Sequence, residues 1–111
     1  MTAHVNGNRQ IRVYAVDPDG TLKNGRLFID MSTDPAPGGP DGMKVDEKGN
    51  VHSAGPGGIW IVSPDGKHLG TIKTPVAVTN LAFGDADGKS LYVTARRDLY
   101  KIRGNIPGIR P

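Results

Sequence analysis

A stretch of the chain repeats itself at an interval of about 40 residues. Pro40-Asp41-Gly42-Met43-Lys44-Val45-Asp46 leads through a glycine turn to Val51-His52-Ser53-Ala54 and then to Ile59-Trp60-Ile61-Val62. Thr79-Asn80-Leu81-Ala82-Phe83-Gly84-Asp85 leads through a second glycine turn to Leu91-Tyr92-Val93-Thr94 and then to Leu99-Tyr100-Lys101-Ile102. The offset is 38 residues at Met43/Leu81 and 40 at Ile59/Leu99. Each apolar run is short, rich in Ile, Val, Leu and Tyr, and bounded by turn residues, which is the pattern of strands. Repeats of this length with several strands per unit build β-propeller blades.

The turns support antiparallel meanders. Asp17-Pro18-Asp19-Gly20 and Ser63-Pro64-Asp65-Gly66 are Pro-initiated β-turns, because Pro presets φ and Gly tolerates φ > 0. Glu47-Lys48-Gly49-Asn50 and Asp87-Gly88-Lys89 read as hairpin turns. The 16 glycines and 9 prolines of the 111 residues therefore punctuate strands instead of marking disorder. No segment carries a sustained helical period. The fold expected is all-β: about two and a half blades of a propeller in one partial domain. Residues 10–30 supply the last two strands of one blade, 41–73 a full four-stranded blade, and 79–103 three strands of the next. His4 falls in an N-terminal stretch with no strand pattern. A Gly/Pro-rich tail follows Ile102.

Propeller connectivity sorts the loops by face. Residues 31–40, Gly55-Pro56-Gly57-Gly58, residues 75–79 and Arg96-Arg97 fall on one face, and the Asp-Gly turns on the other. Asp41 opens an innermost strand on the first face, where a carboxylate suits a hard cation; a turn-forming Asp after Pro is the competing reading. Thr79 and Asn80 hold the matching positions one repeat later, and Arg96 shares their face. Neighbouring inner strands should bring Asp41 and Thr79 or Asn80 within about 10–15 Å. His52 and Ser53 are adjacent in a strand and point to opposite sides, so they cannot form a nucleophile–base pair. Gly55–Gly58 lacks the ending of a phosphate loop, and Asp85-Ala86-Asp87-Gly88 lacks the remaining acidic positions of a calcium loop.

Composition narrows the function classes. The net charge of +3 comes from scattered basic residues with no run of five, which argues against nucleic acid as a partner. No apolar run approaches the roughly 20 residues that span a membrane. With no cysteine there is no disulfide or thiolate chemistry. The compartment stays open between cytoplasm and periplasm or exterior, since a signal peptide would lie upstream of a fragment.

Several motifs together resemble the gluconolactonase/senescence-marker-protein (regucalcin) family. They are Ile11-Arg12-Val13-Tyr14, Asp19-Gly20-Thr21-Leu22, Asn24-Gly25-Arg26-Leu27-Phe28, Pro40–Asp46 with Gly49-Asn50-Val51, Gly55–Trp60, Ser63–Gly70, Thr79–Gly84 and Leu91–Arg96. The similarity runs from about residue 9 to 108 and corresponds to the C-terminal part of such a protein. It implies a six-bladed propeller with one divalent cation in the channel, calcium by preference, with zinc, magnesium or manganese as alternatives. It implies hydrolysis of a sugar lactone, with Asp41 as a metal ligand that helps activate water. Thr79, Asn80 and Arg96 are the expected substrate-side residues. The remaining ligands, an acidic residue near the start of the full chain and a mid-chain Asn, belong to blades this chain lacks. The isolated chain is accordingly expected to be inactive and to associate with its missing N-terminal blades, or with itself, through open edges. A non-catalytic propeller binding module is the alternative function.

Overall fold

The computed structural model describes the backbone of residues 2–4 and 9–109 and the side chains of residues 9–109. Among the described residues, ten strands form three antiparallel sheets. The first holds β1 (Thr2–His4), β2 (Gln10–Val16) and β3 (Leu22–Asp30). The second holds β4 (Met43–Val45), β5 (Val51–Gly55), β6 (Gly58–Val62) and β7 (His68–Lys73), in that order. The third holds β8 (Asn80–Gly84), β9 (Ser90–Ala95) and β10 (Asp98–Arg103). Consecutive strands pair within each sheet, because their short connections allow only antiparallel neighbours. No helix occurs among the described residues, so none is long and apolar enough to cross a membrane.

The period-two rule explains how the sheets stack. Along β6, Trp60 and Val62 face the first sheet and pack with Ile11, Phe28, Ile29 and Met31. Ile59 and Ile61 face the third sheet, against Val78, Leu81, Leu91 and Val93. The middle sheet is thus covered on both sides, which is why Ile59–Val62 reads as a continuous apolar run. Ile59 is fully buried, and its truncation to Ala is worth about 2–5 kcal/mol.

Two segments go beyond the sequence pattern. His4, expected outside regular structure, belongs to β1, which pairs with β2 from Thr2↔Arg12 to His4↔Gln10. β3 is longer than its apolar pair Leu27 and Ile29 suggests: Leu22 through Leu27 are exposed, and register shifts interrupt its pairing with β2. An exposed hairpin arm satisfies its backbone without apolar side chains, so hydrophobic pattern reveals only its buried half.

The C-terminal tail also has a defined place. The Glu47 amide donates to the Pro107 carbonyl at 2.8 Å, and the Ile109 amide to Val45 at 2.9 Å. The Gly104 and Gly108 amides donate to Lys89 and Gly88 at 2.9 and 3.1 Å. The tail therefore ties the second sheet to the third at the end where the Asp-Gly turns lie.

Candidate functional site

At the opposite end, the starts of the two inner strands, β4 and β8, meet directly. The Gly42 amide donates to the Thr79 carbonyl at 2.9 Å, and the Gly42 carbonyl accepts from the Ala54 amide at 3.0 Å. A Cβ on residue 42 would lie 2.0 Å from Asn80 Oδ1 and 2.7 Å from Asn80 Cα. Only glycine lets the two backbones approach this closely. The Pro-Asp-Gly motif thus sits in contact with Thr79-Asn80 through Gly42.

The structure separates the roles of the residues gathered there. Asp41 is exposed, and its carboxylate has no hydrogen-bond or ion-pair partner among the described residues. Pro40 beside it is buried and anchors the loop. Asn80 turns its Oδ1 to the Leu81 amide at 2.8 Å. The Thr79 hydroxyl lies 2.9 Å from that of Thr94 and 3.1 Å from the Thr94 carbonyl. Arg96 is exposed in the two-residue turn between β9 and β10, with a φ of 55°. Because Asn80 pairs with Thr94, that turn lies at the same end of the third sheet as Thr79 and Asn80. The loop of residues 31–40 reaches this end too: the Gly57 amide donates to the Pro37 carbonyl at 3.0 Å.

The other end of the same strands is built differently. Asp46 is buried and accepts from the amides of Lys48 and Asn50, the Asn50 side chain and His52 Nε2, at 2.9–3.1 Å. Burial pushes its carboxyl up, but the bonds from His52 and Asn50 and the two amides outweigh that and hold it below the usual carboxylate range. His52 Nδ1 is buried with no partner among the described residues, and the ring stands edge-on to Phe83 at 5.1 Å. Asp85 accepts from Ser90 and Tyr92 hydroxyls and from Lys101, which bring it down to about 2. Asp87 is held down by the Arg103 guanidinium and the Lys89 amide. The Asp85–Gly88 segment closes a hairpin, with the Gly88 amide donating to Asp85. Exposed His68 stacks on Trp60 at 3.7 Å between ring centroids.

Sequence pattern alone passed over Asp46 and Arg9. The signal for Asp46 was its place at the entry of a glycine turn, two residues before Lys48, the spacing of an Asx turn. Arg9 stood among scattered cations; its guanidinium reaches the loop that carries Asp41.

The residues present do not complete a cation site. Among the described residues, no cluster of three or more His, Cys, Asp or Glu could hold a metal ion. Calcium takes six to eight oxygens, whereas this end offers the Asp41 carboxylate, and the Asn80 amide oxygen is already bonded to the Leu81 amide.

The sequence and the fold of this chain resemble those of known proteins. The sequence profile of the SMP-30/Gluconolactonase/LRE-like region matches residues 6–97. The chain is 34% identical over 102 residues to a gluconolactonase of Zymomonas mobilis, covering 84% of this chain and 28% of that protein. It is 39% identical over 90 residues to a pentonolactonase of Haloferax volcanii, covering 78% of this chain and 30% of that protein. Among solved structures, a luciferin-regenerating enzyme superposes with a TM-score of 0.80 at 28% identity, over 91% of this chain and 40% of that one. A gluconolactonase from Xanthomonas campestris superposes with a TM-score of 0.76 at 30% identity, over 96% and 33%. The chain thus spans less than a third of the curated relatives' length. With its repeat, its three stacked antiparallel sheets and the profile match over most of its length, the chain is part of a β-propeller and belongs to the SMP-30/gluconolactonase/LRE-like family.

Proposed function

We propose that this chain is the portion of a sugar-lactone hydrolase that contributes Asp41 to a divalent-cation site, calcium by preference, at the loop end of the propeller. The observation that carries the reading is Asp41 itself: an exposed carboxylate, without a partner among the described residues, beside the point where two inner strands converge. The names of the lactonase relatives support the substrate class. A cation held there would polarise the lactone carbonyl and lower the pKa of a bound water. Asp41 would donate a carboxylate oxygen and accept a proton from water. Thr79, Asn80 and Arg96 offer a hydroxyl, an amide and a cation on the same end, suited to a polyhydroxy ligand. The other cation donors come from elsewhere in the whole protein.

The test has two arms. Residues 1–111 alone should hydrolyse gluconolactone no faster than the spontaneous rate. In a chimera, residues 9–109 replace the matching segment of the Zymomonas gluconolactonase. That chimera should retain metal-dependent turnover, and Asp41→Asn should lower its kcat/KM by about 100-fold or more. Full activity of the Asp41→Asn chimera would overturn the assignment.

A further inference from the structure

The loop that delivers Asp41 has no secondary structure of its own, yet its course is fixed from two sides. On one side the Gly57 amide holds the Pro37 carbonyl, and Gly38, at a φ of 111°, lies so close to Gly55 that a Cβ would come 2.9 Å from the Gly55 carbonyl oxygen. On the other side stands Arg9. Its Nη1 donates to the carbonyls of Ala36 at 3.1 Å and Gly38 at 2.8 Å. Its Nη2 donates to those of Asp34 at 2.5 Å and Ser32 at 3.4 Å. Its backbone joins the start of the loop, with the Met31 amide donating to the Arg9 carbonyl at 2.7 Å and the Arg9 amide to Ser32 Oγ at 3.0 Å.

Four main-chain carbonyls converging on one side chain require several N–H donors in a rigid plane. A guanidinium supplies them; an ammonium is a compact point charge that cannot span them. The last carbonyl in the set, Gly38, is three residues from Asp41. Resting on the reading of Asp41 as a cation donor, we infer that Arg9 is a positioning residue: it pins residues 32–38 and thereby sets where the Asp41 carboxylate stands.

The experiment uses the chain of residues 1–111, isotope-labelled for NMR, with Arg9→Lys, Arg9→Met and Asp41→Asn variants. In the unsubstituted chain the Arg9 Nη protons should be resolved and slow to exchange, a signature that needs no variant to fold. In Arg9→Lys, which keeps the charge, shifts should concentrate in residues 31–42 and 55–58. Hydrogen exchange at the Gly57 amide should accelerate by about tenfold or more, with β9 and β10 unchanged. Manganese affinity, read from paramagnetic broadening, should fall about ten- to a hundredfold, the range for groups that orient a metal ligand. Averaged Arg9 Nη signals, or an undisturbed Gly38–Gly42 segment in both Arg9 variants, would overturn the inference. If manganese binding proves independent of Asp41, the cation reading fails and the loop signals still decide the role of Arg9. If binding depends on Asp41 but is identical in both Arg9 variants, the inference fails and the cation reading stands.

Discussion

Asp41 and Asp46 are five residues apart, at opposite ends of the same inner strand, and their surroundings are opposite. Asp46 is buried and accepts four hydrogen bonds from a turn and a histidine. Asp41 is exposed and has no partner among the described residues. The contrast extends along the two ends of the molecule. The turn end ties down Asp85 and Asp87 with hydroxyls, Lys101 and Arg103, and closes with the C-terminal tail. The loop end leaves a carboxylate and Arg96 open. A carboxylate whose bonds are all made within the chain stabilises the fold and has little capacity left for a ligand. A carboxylate held in place by its backbone, with its oxygens free, is available for chemistry.

The largest effect that could break this comparison is at Asp46. Replacing it by Ala strands the part-buried donors of His52 and Asn50 and should cost about 3 kcal/mol in a urea unfolding experiment. Asp41→Ala should stay within about 0.5 kcal/mol of the parent chain. Equal losses at both positions would erase the distinction. Next comes Gly42→Ala, whose new methyl would collide with Asn80. It should cost about 1–3 kcal/mol by prising β4 from β8. Disturbance of the Thr79 and Asn80 amide signals, with the Asp46 turn unchanged, would sharpen the division between the ends.

Acid titration follows in size. Asp46 has a folded-state pKa below its unfolded value, so its contribution is fully present above about pH 4 and is lost as pH falls through the lower folded value. Thermal unfolding followed downward from pH 5 should therefore show destabilisation that Asp46→Asn reduces. An unchanged profile in Asp46→Asn would show that its bonds do not favour the charged form. The smallest effect belongs to the exposed pair of Arg103 and Asp87: Arg103→Gln should alter the unfolding midpoint slightly, and less still at about 0.5 M salt, where exposed pairs are screened.

Sequence and structure agree most closely where side chains are buried in alternation. Ile59–Val62 and Leu91–Val93 announce strands because each residue must choose a face, and the repeat places them in successive sheets. The glycine of Pro-Asp-Gly is legible as a turn, but its reason, the approach of Asn80, depends on a partner 38 residues away. The exposed part of β3, the strand at Thr2–His4 and the path of the tail are fixed by backbone hydrogen bonds, which leave no mark on hydrophobic pattern. Asp41 stands out by its motif. Arg9 does not, since its carbonyl partners are main-chain atoms that any sequence would supply.

The most direct test of the contrast is a manganese titration of residues 1–111 followed by amide broadening, with Asp41→Asn and Asp46→Asn run beside the parent. The account predicts weak binding that broadens Asp41, Gly42, Thr79 and Asn80 first, vanishes in Asp41→Asn and persists in Asp46→Asn. Broadening centred on the Asp46–Asn50 turn or on Asp85 and Asp87, or unaffected by Asp41→Asn, would contradict it.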